Sequence, residues 1–238
     1  MSGHSKWSTI KRKKGAADAK KGIAFTRLSK DITMAARELG GDPETNPSLR
    51  LFVKKAKAAN MPVANIERAI KKGTGELPGV TYEDCVYEGY GPNGVAILII
   101  ILTDNKNRTL PEIRSLMTKN GGNLGESGCV NWMFEKKGLL TVSKKFISDD
   151  DVLEILELDV EDINNDDSSY EIIMKPENFE NISKFLENKN ITVDGEVTLV
   201  PKNTVKVSDE VAEKIINLIN ILEEHEDVQN VYSNFEVE

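Results

Sequence analysis

Apolar residues recur in steps of three and four through the first third of the chain. Phe25, Leu28, Ile32, Ala35 and Leu39 fall on one helical face, which predicts a helix from about Ala16 to Leu39. Lys20, Arg27, Lys30 and Arg37 fall on the opposite face, and Gly40-Gly41 with Asp42-Pro43 ends the helix. Asn46-Pro47 opens a second helix, since Asn is a good N-cap and Pro suits the first helical position. Its apolar stripe is Leu49, Phe52, Val53 and Ala56, with Arg50, Lys54, Lys55 and Lys57 off the stripe. After Met61-Pro62 a third helix turns Ile66, Ala69 and Ile70 inward and stops at Gly73, with Lys71 and Lys72 in its last turn.

Beyond Gly79 the period changes. Tyr82–Glu88 predicts a strand, Tyr90–Gly94 a turn, and the isoleucine-rich run Val95–Leu102 a strand buried on both faces. A helix from about Arg108 carries Leu110, Ile113, Leu116 and Met117 and stops at Gly121-Gly122; Val130–Phe134 fits another strand. Strands at Leu139–Val142, Val160–Ile163, Tyr170–Met174 and Glu196–Val200 alternate with helices at Asp150–Leu158 and Glu177–Asn188, the order of a split βαβ sandwich. A helix over Ser208–Glu224 and a strand over Val228–Phe235 close the chain and are placed to complete the sheet begun at Tyr82. The expected organisation is therefore α+β. An all-helical domain (1–78) precedes a discontinuous α/β domain (79–134 plus 204–238), into which a second α/β sandwich of ferredoxin-like type (135–203) is inserted.

The chain has 238 residues and a formal net charge of −8, but the average conceals a division. Residues 1–72 hold 17 Lys and Arg against 6 Asp and Glu, whereas the remainder is strongly acidic. So one-sided a split points to a polyanion partner for the first segment. The longest apolar run, eight residues, is far short of the roughly 20 that cross a bilayer, and no apolar stretch follows the basic N-terminus as a secretory signal requires. Cys85 and Cys129 are too few for a disulfide framework and read as reduced thiols in a cytoplasmic protein.

Lys6, Lys11, Arg12, Lys13 and Lys14 lie within nine residues, and Lys20, Lys21, Arg27 and Lys30 extend them along the first helix. With Lys54, Lys55, Lys57, Lys71 and Lys72 they form the expected footprint for a phosphate backbone. Trp7 is placed either to stack on an exposed base or to pack on the helical core. The second and third helices have the sequence of a weak helix-turn-helix. The N-terminus of the third, Val63-Ala64-Asn65, offers only Asn65 to read a base, so backbone and shape recognition of DNA or structured RNA is the better expectation. Catalytic chemistry has little to draw on. His4 and His225 stand at opposite ends of the chain, Cys85 and Cys129 read as small core residues, and Asp104 and Asn107 read as turn and cap residues. Neither a catalytic set, a metal site nor a cofactor is expected. The acidic runs Asp149–Asp151, Asp166-Asp167 and Glu223–Asp227 read as solvated faces and an acid-rich helix N-terminus, with a basic protein partner as the alternative.

Long segments of the chain resemble the YebC/PmpR family. They are Met1–Trp7, Asn60–Pro62, Arg68–Gly73, Tyr87–Pro92, Leu102–Asn105, Asn107–Thr109, Gly121–Gly125 and Val228–Phe235. The resemblance implies a cytoplasmic protein of one helical and two α/β domains. It further implies a DNA-binding transcriptional regulator or, as for other members, a factor in translation. A mitochondrial relative activates synthesis of a respiratory subunit, and bacterial relatives relieve ribosomes stalled on proline runs, where the partners would be ribosomal RNA and tRNA. Neither role is enzymatic. The chain departs from the family pattern at Ile23-Ala24 and Ser48, each time losing a positive charge, and at Ile100 and His225, where the family commonly carries acids.

Overall fold

A computed structural model of the chain describes residues 18–79, 81–165, 168–191 and 193–238. These residues fold as two compact units. One takes in the described residues up to 129 and residues 213–231; the other spans residues 130–212 and 232–238.

The first unit begins with α1 (Asp18–Leu39), α2 (Pro47–Ala58) and α3 (Val63–Gly73). Their core is Ile32, Ala35, Ala36, Leu49, Ala56, Met61, Ile66 and Ala69, with Phe25, Leu28, Phe52, Val53 and Ile70 packed around it. Leu39, expected inward, is 62% exposed: it is the last residue of α1, beyond Ala35 and Ala36, the last side chains of that helix in the core. Asn46 has a larger part than capping. Its Oδ1 accepts from Leu49 N (3.0 Å) while its amide donates to Ala35 O and Gly40 O (both 2.8 Å), so one fully buried side chain starts α2 and ties it to the end of α1. Gly73 marks the close approach of α3 to α1: a Cβ there would stand 2.4 Å from Thr33 O and 2.7 Å from Ala36 Cβ.

The unit continues with β1 (Glu83–Tyr90) and β2 (Ala96–Thr103), an antiparallel hairpin in register from Glu83↔Thr103 to Tyr90↔Ala96. The hairpin turns through Asn93 and Gly94, both at positive φ. β2 is buried along nearly its whole length, with Ile100 half-buried, as the unbroken apolar run predicts. α4 (Lys106–Lys119) follows, and β3 (Asn123–Leu124) pairs with β1 at Gly89. A side chain at Gly89 would meet Asn123 O at 2.2 Å, so only glycine admits this strand.

The second unit contains β4 (Phe134–Ser143), α5 (Asp149–Leu156), β5 (Val160–Asn165), β6 (Ser169–Met174), α6 (Phe179–Asn188) and β7 (Val193–Pro201). The strand order β5-β6-β4-β7, all antiparallel, is the ferredoxin-like sandwich. Its core is Leu140, Val142, Ile155, Ile172, Met174, Ile182, Leu186 and Ile191. The expected strand at Val130–Phe134 is instead a single 3-10 turn over Asn131–Met133 leading into β4.

The chain leaves this unit through β8 (Val205–Val207) and α7 (Asp209–Glu223), which buries Ala212, Ile215, Leu218, Ile219 and Leu222. The final strand, expected to be continuous, is broken at Asn234. β9 (Val228–Ser233) joins β2 in the first sheet, giving the order β3-β1-β2-β9, whereas β10 (Phe235–Val237) pairs in parallel with β8. The buried Asn234 makes the break, its carbonyl accepting from Val205 N (2.7 Å). The molecule is thus a helical N-terminal part followed by α/β sandwiches with antiparallel sheets, the expected fold class.

Candidate nucleic-acid interface

The helical part presents its cations on two stripes. In α2, Arg50, Lys54 and Lys57 recur at i, i+4 and i+7 and share a face. In α3, Arg68, Lys71 and Lys72 fall at i, i+3 and i+4 and share a face near its C-terminus. These six, with Lys55 and Arg37, are exposed, and none makes an ion pair among the described residues. Arg37, Arg50 and Arg68 were not among the expected footprint residues. The i, i+4, i+7 spacing of Arg50 with Lys54 and Lys57 was the available signal for the first of the α2 stripe. Lys6, Trp7, Lys11, Arg12, Lys13 and Lys14 lie outside the described residues, as do the side chains of Lys20 and Lys21.

Two expected footprint residues turn the other way. Lys30 is 6% exposed. Its ammonium donates to Asp227 Oδ1 (2.5 Å), Glu226 O (3.0 Å) and Leu102 O (3.2 Å), which uses all three of its protons. It also stands 5.6 Å from the centroid of the Tyr82 ring. An ammonium so enclosed cannot reach a phosphate, so Lys30 is removed from the footprint. Arg27 is half-buried, and its guanidinium donates to Glu223 O at the C-terminus of α7, where a cation is favoured. Burial pulls its pKa below the usual value against the opposing pull of Glu223 and Asp31, and its Nε is buried without a partner. At Arg27 and Lys30 the face of α1 opposite its apolar stripe therefore packs on the α/β part of the same unit, whereas Arg37, a turn or two further on, is exposed.

Asp227 is the centre of that contact. It is 1% exposed, and its second oxygen lies 2.7 Å from Thr109 Oγ1, 2.8 Å from Arg108 and 3.1 Å from Thr103 Oγ1. Burial alone would raise its pKa. The hydrogen bonds from Lys30, Arg108 and Thr109 overcome burial and hold the carboxyl well below the usual carboxylate range. Asp104 and Asn107, expected as caps, are not the capping residues. Asn105 caps α4 by accepting from Arg108 N (3.2 Å), and Asp104 instead binds Arg108 from the side (3.1 Å). His225 Nδ1 accepts from Asp227 N (3.1 Å), which leaves the proton on Nε2 facing Glu112 (3.0 Å). Cys85 and Cys129 are half-buried rather than core, and burial raises both thiols above their ordinary pKa.

Asp31 is a carboxylate set among the cations of the helical part. It is half-buried in α1, and burial pushes its pKa up to about 6, against the pull of Lys55, Arg27 and Lys30. Lys55 therefore differs from its neighbours on α2: it stands off their stripe and acts on Asp31.

The acidic residues at 149–151 open α5, where Ser148 and Asp151 form a capping box. Asp151 and Glu154 both bind Lys189 (2.8 and 2.5 Å). These are structural and solvated roles. Among the described residues, no group of His, Cys, Asp and Glu has the arrangement of a metal site, and no helix is long and apolar enough to cross a membrane.

The sequence matches the family described as "TACO1/YebC protein N-terminal domain" over residues 5–76 and "TACO1/YebC second and third domain" over residues 82–235. The chain belongs to the TACO1/YebC family. Within it, the chain is 52% identical over 240 residues to a "Probable transcriptional regulatory protein" of Dictyoglomus turgidum, covering 100% of this chain and 96% of that one. A protein of the same description from Natranaerobius thermophilus is 53% identical over 243 residues, covering 100% and 97%. The crystal structure of a conserved hypothetical protein from Aquifex aeolicus superposes with a TM-score of 0.79 at 44% identity, covering 93% of this chain and 92% of that one. Motif segments that carry the YebC/PmpR resemblance, Leu102–Asn105, Asn107–Thr109 and Val228–Phe235, surround or adjoin Asp227. In this chain Thr103, Arg108 and Thr109 of these segments bind Asp227, while Asp104, Asn105 and Asn107 beside them are exposed.

Proposed function

We propose that this protein is a nucleic-acid-binding regulator of gene expression, acting on DNA as a transcriptional regulator and carrying no enzymatic activity. The observation that supports it most is the set of eight exposed cations on the helical part, none in an ion pair among the described residues, in a protein whose net charge is −8. Over residues 1–72 Lys and Arg outnumber Asp and Glu by 17 to 6, a larger excess than solubility alone calls for. Family relatives described as transcriptional regulatory proteins support the same reading. The division of labour we propose is three-part: residues 1–78 bind phosphate, the α/β domain of 79–134 and 204–238 carries them, and the inserted domain of 135–203 presents a partner surface. The remaining cations are Lys6, Lys11, Arg12, Lys13, Lys14, Lys20 and Lys21, and with the α2 and α3 stripes they make the contacts. The protein acts in the cytoplasm.

A second reading has its own support. The N-terminus of α3 exposes Val63, at 61%, where a recognition helix would carry base-reading polar groups. Binding through backbone and shape serves ribosomal RNA and tRNA as well as DNA. Cross-linking in cells followed by sequencing of both bound DNA and bound RNA decides between them. Enrichment of promoter-proximal DNA is the expected result, and recovery of ribosomal RNA alone overturns the transcriptional reading in favour of a translation factor.

A further inference from the structure

The helical part meets the linker to β1 around a cavity of about 230 Å3. Its walls include Arg37 from the last turn of α1, Lys72 from the last turn of α3, and Tyr82. Gly73, Gly75 and Gly79 contribute backbone alone to its lining. Arg37 and Lys72 are exposed and make no ion pair among the described residues. Glu76, the carboxylate of this linker, accepts from Thr74 Oγ1 (3.0 Å) and is not among the lining residues. The two helix C-termini oppose an anion with about half a charge each, against two full positive charges, so the cations prevail. Lys30, above the Tyr82 ring, is fixed by Asp227 and holds the ring in place from inside the fold.

Drug-sized ligands occupy about 300–1,000 Å3, so this cavity fits a fragment of a polymer better than a whole small molecule. It is concave, so the smooth outside of a duplex cannot enter it, whereas a splayed nucleotide can. Building on the nucleic-acid reading above, we infer that the cavity seats one unpaired nucleotide of a nucleic-acid strand, its phosphate between Arg37 and Lys72 and its ring system against Tyr82. The helical part thereby distinguishes strands with unpaired positions from continuous duplex, something the α2 stripe alone does not do.

The test is fluorescence anisotropy on the full chain with two probes, a short labelled oligothymidylate and a blunt duplex of mixed sequence. Three variants are compared: Arg37→Ala with Lys72→Ala, Tyr82→Ala, and Lys54→Ala with Lys57→Ala as a charge-matched control. The Arg37/Lys72 pair is expected to weaken single-strand binding about tenfold more than the control pair does and to flatten its salt slope by about 1.4, while both pairs weaken duplex binding alike. Tyr82→Ala is expected to cost about tenfold on the single strand alone, with Tyr82→Phe unchanged. Unaltered melting temperatures for the two charge pairs show that folding is intact. Equal losses from both charge pairs on both probes overturn the cavity and leave the nucleic-acid reading standing. No binding of either probe by the unaltered chain overturns both.

Discussion

Two carboxylates in the same unit respond to pH in opposite senses. Asp31 has its pKa raised from 3.8 to about 6 by burial. Between about pH 4 and 6 the folded protein keeps a proton that the unfolded chain has already released, so stability falls as pH rises through that window, by at most about 1.4 kcal/mol per pH unit. Asp31→Asn is expected to flatten that limb and to make the protein more stable at pH 7, as urea melts between pH 4 and 7 would show. Asp227 is held below its ordinary range by Lys30, Arg108 and Thr109, so its contribution is complete at neutral pH and is lost only as pH falls below the usual carboxylate value. Gly73 is a residue-scale constraint of another kind. A methyl group there meets the backbone oxygen of Thr33 at 2.4 Å, and backbone cannot rotate away as a side chain can. Gly73→Ala is expected to cost about 1–3 kcal/mol by overpacking, read as a lower melting temperature with helix content retained.

Between elements, the Lys30–Asp227 pair joins α1 to the junction of β2, α4 and β9. A pair this buried is weak evidence of net stability, because desolvation offsets most of the attraction. Removing one partner is a different matter. Lys30→Met leaves Asp227 buried beside Arg108 alone among cations, and a loss of about 3–5 kcal/mol is expected. Asp227→Asn together with Lys30→Met should cost less than the two single changes added, and a double-mutant cycle by chemical denaturation measures that coupling. Strict additivity would mean that the pair, though in contact, contributes no specific coupling. Arg108 serves twice here: its backbone N–H donates to the Asn105 cap while its guanidinium reaches Asp104 and Asp227.

For the whole molecule, the relevant electrostatic quantity is local. The chain is net negative, yet at 0.1 M salt the screening length is about 10 Å, so distant acids are felt little at a phosphate held by α2. Duplex binding is therefore expected to weaken with salt in proportion to contacts made, not in proportion to net charge. Replacing Arg50, Lys54 and Lys57 together by Ala should reduce the slope of log K against log salt by about 2.7. An unchanged slope in a filter-binding or anisotropy titration would remove the α2 stripe from the interface.

Local periodicity carried much of this protein. The apolar stripes of α2 and α3, the Asn46 cap, the doubly buried β2 and the order of elements in the ferredoxin-like unit all follow from side chains within a few residues of one another. The helical and strand periods are local properties, so these needed no knowledge of the fold. What could not be seen was which side of α1 would be covered. By spacing, Lys30 is on the polar face, and only the arrival of Asp227, 197 residues later, converts that position into a buried anchor. Asn234 is a similar case, since a strand-like run is divided between two sheets by a carbonyl that bonds Val205. The cavity beside Tyr82 likewise needs two helix ends and a linker to converge. The sequence determined the elements and the sign of the charge on them; tertiary structure decided which charges remain in water, because burial and pairing depend on partners that are distant along the chain.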